Sequence, residues 1–181
     1  MSNKSHNDAI LDEALCGALE AVFDHNGVAV ERVGPSPALS ITSLDAVGVI
    51  GFSGEHLRGT LVIATSVALA TRTCPPSTAA TLPVRDRVRD WMGELCNLTL
   101  GRVKVALARY GQNLGLSTPV AFTGEHLRLG AVQRNRTRAW DFRCPDGDVR
   151  AWIEVEHDPQ LRLQRADDPG VALVEGEPLL F

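Results

Sequence analysis

Apolar residues return at three- and four-residue steps near the start of the chain, where Ile10, Leu11, Ala14, Leu15, Ala18, Leu19, Val22 and Phe23 would share one helical face. Asn26-Gly27 closes that run, so the pattern predicts a first helix over residues 8–25. Residues 28–37 are broken by Gly34-Pro35-Ser36-Pro37 and read as an extended connection with a turn. Two β-rich runs follow, at 46–53 and 59–65, and the polar interval Gly54-Glu55-His56-Leu57-Arg58 between them suits an antiparallel hairpin. Residues 71–82, with Pro75, Pro76 and Pro83 in or beside them, read as a loop or the approach to a helix. A long helical pattern then runs over 84–110 and stops at Gly111, which makes it roughly 40 Å long. Further strands are expected at 116–122, 131–133, 137–143 and 149–155, with Pro145-Asp146-Gly147-Asp148 as a hairpin turn. The tail after Asp158 is poorly patterned.

The long helix carries the informative polar positions. At about 100° per residue, Val88, Met92, Leu95, Cys96, Thr99, Val103, Ala106, Leu107 and Tyr110 form one broad stripe, the expected core face. Arg87, Asp90, Glu94, Asn97, Gly101, Lys104 and Ala108 gather opposite, with Glu94 and Asn97 one turn apart. Such a face is ordinarily just solvated charge. Two features set this one apart. Gly101 lies in the helix interior, where glycine costs about 1 kcal/mol relative to alanine, and a bare spot there admits another backbone. Trp91, Leu98 and Val105 fall on the shoulder beside Glu94 as an apolar strip, of the kind that marks partner sites unless a sheet wraps round to bury it. Asp90, Trp91, Leu98, Gly101 and Lys104 are therefore the candidate partner contacts. A short echo, Phe52 to Arg58 against Phe122 to Arg128, hints at two related halves.

Asp90, Glu94, Asn97 and Pro119 also stand in the register Asp or Ser, three residues, Glu, two residues, Asn, twenty-one residues, Pro. In this the chain resembles the CheC and CheX chemotaxis phosphatases, from the first helix to about Val155. The resemblance implies an α/β (α+β) fold in which two long helices pack on one face of a curved, mainly antiparallel sheet. It implies residues 1–157 as the phosphatase domain and 158–181 as an extension without counterpart. It further implies dephosphorylation of a CheY-like response-regulator receiver, with Asn97 orienting the attacking water and Glu94 pairing with the receiver's lysine. A carboxamide suits that task, since its oxygen accepts from water and its nitrogen donates, without adding charge beside the phosphoryl group. Asp90 either assists binding or favours the N-terminal half of the helix electrostatically. Pro119 shapes the chain at a strand start. The Mg²⁺ would belong to the receiver, leaving this chain with no cofactor of its own, and relatives pair through sheet edges, so a homodimer is expected. A second centre on the first helix is not, because Glu13-Ala14-Leu15-Cys16 puts cysteine at the amide position.

Composition narrows the alternatives. The 181 residues are 44% hydrophobic and carry a net charge of −4, enough for one core and without the basic excess that nucleic-acid binding needs. The N-terminus lacks a signal-peptide pattern and the most apolar stretch, 60–70, is too short to span a bilayer, so a cytoplasmic protein is expected. Cys16, Cys74, Cys96 and Cys144 show no CxxC spacing and read as reduced thiols rather than zinc ligands. His56, His126 and His157 could in principle join Cys144 or acids in a metal or nucleophile site, but no GxSxG, HExxH or phosphate loop accompanies them. The remaining rival is a non-catalytic adaptor that docks receivers or flagellar-switch components through the same helix face.

Overall fold

A computed structural model describes residues 3–36, 44–75, 82–125, 127, 129 and 136–165. The first apolar periodicity becomes α1 (Asn3–His25), which starts earlier than its pattern, and Gly27 follows it with φ of 76°. Residues 28–37, expected as an irregular connection, instead contain β1 (Glu31–Pro35). This strand is short, exposed on alternate residues and bent between Arg32 and Gly34, so it lacks the apolar alternation that marks a strand in sequence. The hairpin is as read: β2 (Ala46–Ser53) and β3 (Leu57–Thr65) pair antiparallel from Ala46↔Thr65 to Ser53↔Arg58.

A short helix, α2 (Val67–Thr73), precedes the proline-rich stretch. Ser66 caps it by accepting a hydrogen bond from the Leu69 N–H. The long helix α3 (Val84–Ala108) has the expected length. The strand expected at 116–122 is split into β4 (Gly115–Leu116) and β5 (Val120–Thr123), because Pro119 between them cannot donate to a ladder. Both pieces pair with β2. The strand expected at 131–133 lies outside the described residues. β6 (Thr137–Cys144) and β7 (Gly147–His157) form the predicted hairpin, closed at Cys144↔Gly147.

The strands make one antiparallel sheet ordered β1-β6-β7-β3-β2-β4, with β5 also on β2. All three described helices cover one face. The main core joins Leu15, Leu19 and Phe23 of α1, Leu69 of α2, and Met92, Leu95 and Leu100 of α3 to Ile50, Leu61, Ile63 and Ile153 of the sheet. The other face carries a smaller cluster of Val47, Val62, Ala64, Ala139 and Trp152, which explains why β2 and β3 read as nearly continuous apolar runs. Gly48 sets the height of α3 above β2. A Cβ there would stand 2.5 Å from Cys96 Sγ and 2.6 Å from the Met92 carbonyl oxygen, so any larger residue would push the helix off the sheet. The chain after β7 returns to α1: Leu161 and Leu163 join the core, and buried Asn7 donates to the Leu161 carbonyl (2.8 Å) and accepts from the Leu163 N–H (3.0 Å).

Candidate functional site

Packing on β2 through Met92 and Cys96 turns the opposite side of α3 outward. Asp90 and Glu94 are exposed, while Asn97, Gly101 and Lys104 are half-buried on the same side. Among the described residues, Asp90, Glu94, Asn97 and Lys104 have no hydrogen-bond or ion-pair partner. The acid and the amide are thus held on a rigid helix one turn apart, with their donors and acceptors uncommitted. Pro119, at the break between β4 and β5, packs on the flank of the helix at Gly93, where a Cβ would meet the proline ring at 3.6 Å. It supports α3 from the side adjoining Asn97.

Leu98 and Val105 are exposed, 39% and 49% respectively, and form an apolar strip beside Glu94. Trp91 does not join them. It is only 2% exposed, and its indole N–H donates to Thr73 Oγ1 at 2.9 Å. The reason is α2, whose residues 67–70 the sequence reading gave no element and whose end it placed in a loop or helix approach; it lies against the N-terminal half of α3 and buries that shoulder. Thr73 completes the arrangement by donating to the Leu69 carbonyl at 3.1 Å.

The first helix shows what an occupied polar face looks like. Arg32 of β1 donates to Glu20 (3.0 Å) and Glu13 (3.3 Å) of α1 and lies 5.7 Å from the Trp140 ring centroid. Asp12 accepts from the Arg138 guanidinium and from the Trp140 indole N–H at 3.1 Å, while Arg138 also reaches Asp8 at 2.9 Å. Cys16, in the amide position of the motif register, is fully buried, and burial pushes its thiol up to about 12 despite nearby Arg32. Burial likewise raises the Cys96 thiol to about 12. The sequence reading missed Arg32 as the residue that closes α1, because its strand was not recognised.

The echoed segments differ in their packing. Phe52 is buried in the main core, whereas Phe122 is exposed at its pairing with Val47 on the other face of the sheet. Among the described residues, no group of three or more His, Cys, Asp or Glu is placed to hold a metal ion. No helix among them is long and apolar enough to cross a membrane.

Comparison with known proteins bears on the family and the fold. A family model described as chemotaxis phosphatase CheX matches residues 46–140, more than half of the chain and the whole of α3. No curated protein matches the sequence significantly. Among solved structures, a CheC-like superfamily protein from Shewanella sp. PV-4 superposes with a TM-score of 0.71 at 20% identity, covering 81% of this chain and 97% of that one. The chemotaxis protein CheX from Desulfovibrio desulfuricans gives 0.71 at 17% identity, over 81% and 99% of the two chains. The CheX–CheY–BeF3–Mg²⁺ complex from Borrelia burgdorferi gives 0.64 at 15% identity, over 80% and 97%. At these identities the superpositions establish the fold, an α/β arrangement of the CheC-like kind.

Proposed function

Because the chain belongs to the chemotaxis phosphatase CheX family, we propose that it hydrolyses the aspartyl phosphate of a CheY-like receiver domain. The observation that carries this reading is the uncommitted pair Glu94 and Asn97 on the outward side of α3. In the reaction a water oxygen attacks phosphorus in line while the bond to the aspartyl oxygen breaks. The products are inorganic phosphate and the free carboxylate. Little covalent chemistry remains for a protein to supply beyond position and electrostatics. Asn97 accepts a hydrogen bond from the attacking water through its side-chain oxygen. Glu94 forms a charge-assisted bond to the receiver's lysine, which fixes the register of the two surfaces. Leu98 and Val105 add apolar contact beside the pair, with Asp90 and Lys104 at its two ends. Trp91 holds the helix from within and does not touch the receiver.

Magnesium belongs to the receiver in this scheme, a reading supported by the Borrelia complex, which contains CheX, CheY, BeF3 and Mg²⁺. The protein acts in the cytoplasm as a homodimer. Residues 1–157 carry the activity, and the extension from 158 begins by bracing α1 through Asn7. The test is the decay of phosphorylated CheY. The wild-type protein should accelerate it, and Asn97→Ala should remove the acceleration while complex formation with BeF3-loaded CheY persists. Binding by the wild type without any change in decay would overturn catalysis in favour of a docking module.

A further inference from the structure

Gly101 occupies the interior of a 25-residue helix, where glycine is less favourable than alanine because the unfolded chain has more backbone freedom to lose. An interior glycine is commonly explained by a neighbour that a side chain would strike. Gly48 has such neighbours in Cys96 and Met92, and a Cβ at Gly93 would come into ordinary contact with Pro119. At Gly101 the described residues supply none: a Cβ built there meets no heavy atom of theirs within 4 Å. No described residue keeps the position bare.

Its location supplies an external reason. For Asn97 to reach a water attacking phosphorus, the receiver must stand directly over that amide. A specific protein interface covers about 800 Å² on each partner, a disc of about 16 Å radius. Gly101 lies about 6 Å along the axis from Asn97 and Val105 about 12 Å, so both fall within a footprint centred on the amide. Exposed Leu98 and Val105 flank the bare turn.

We propose that Gly101 is a spacing residue: the receiver surface beside the phosphoryl group rests on bare α3 backbone there, and this sets how closely Asn97 approaches phosphorus. The inference rests on the receiver-phosphatase reading and goes further by assigning what fixes the docking distance. A single added Cβ protrudes about 1.5 Å, and misplacement on that scale costs about a hundredfold in reactions governed by position.

The molecule contains its own control. Gly17, inside α1, also has nothing within 4 Å of a built Cβ, but its helix carries acids already engaged by Arg32 and Arg138. Gly17→Ala and Gly101→Ala should each raise Tm by about 2–4 °C through helix propensity. With phosphorylated CheY, Gly17→Ala should keep wild-type kcat/KM. Gly101→Ala should lower kcat by about 10- to 100-fold with a smaller change in affinity for BeF3-loaded CheY, and Gly101→Leu should weaken that affinity as well. Wild-type kcat/KM in both Gly101 variants, with the wild-type protein active, would overturn the spacing role and leave the phosphatase reading standing. A fall in Tm for Gly101→Ala would also overturn it, by showing an internal cause. Failure of the wild type to speed CheY dephosphorylation would instead remove the phosphatase reading, and the spacing role with it.

Discussion

The polar faces of α1 and α3 hold similar residue types and use them differently. On α1, Asp12 is bound to Arg138 and Trp140, and Glu13 and Glu20 to Arg32, so its charges tie the helix to the β1–β6 edge of the sheet. On α3, Asp90, Glu94 and Asn97 tie to nothing among the described residues. A carboxylate bonded to an arginine is held in place and has fewer acceptor sites left for a ligand. One left in water contributes almost nothing to folding and is available to a partner. What separates the two polar faces is therefore their neighbours: side chains of β1 and β6 reach over that of α1, and no described element pairs with Asp90, Glu94 or Asn97 on α3.

That contrast should appear as a double dissociation. The largest effect is expected at Asn97, where Ala should reduce the acceleration of CheY dephosphorylation at least a hundredfold, about 3 kcal/mol in the barrier. Because the half-buried amide makes no hydrogen bond to the described residues, Tm should stay within about 2 °C of wild type. Asp12→Ala should do the reverse. It leaves the Trp140 indole N–H unpaired and the half-buried Arg138 guanidinium with Asp8 alone, and roughly 2 kcal/mol of stability should be lost in a urea titration while kcat is kept. If Asn97→Ala unfolded the protein, or Asp12→Ala removed activity at full stability, the two helices would not differ as described.

Restoring the motif amide on α1 sharpens the same comparison. Cys16→Asn completes a Glu-x-x-Asn sequence in the first helix, yet the position is fully buried among apolar residues. The new amide would lose its water without gaining partners, at a cost of about 2 kcal/mol. Activity per protein molecule should remain at the wild-type level. A doubled rate would mean that the α1 face opens in solution, and that sequence, more than cover, decides where a centre forms.

Elements that follow a strict period were legible before any coordinates. The Val88–Met92–Leu95–Cys96 stripe fixed which side of α3 turns inward, and from it followed the outward aspect of Glu94 and Asn97. The β6–β7 hairpin announced itself through Pro145-Asp146-Gly147. Elements stabilised mainly by distant partners were not legible. β1 is held by Phe142 and Asp141 of β6 across more than a hundred residues, and α2 is a two-turn helix whose cap, Ser66, is a single hydroxyl. Periodicity gives an angle around a helix and cannot say how far neighbouring elements wrap, which is why the shoulder of α3 was divided wrongly between exposed and buried.

Trp91 tests that last point with the smallest effect. The phenyl ring of Trp91→Phe keeps most of the apolar contact under α2 but lacks the N–H that Thr73 Oγ1 accepts. Thr73 can still donate to the Leu69 carbonyl, so its hydroxyl is not left wholly unsatisfied. The loss should be about 1 kcal/mol, a fall of about 2–4 °C in Tm. Affinity for BeF3-loaded CheY should be unchanged, because the indole lies beneath α2 and not in the receiver's path, whereas Leu98→Ala should weaken it several-fold at unchanged Tm. A Trp91→Phe protein that kept its Tm and lost receiver affinity would put the tryptophan back on the exposed strip, and α2 would then have to move aside when the partner docks.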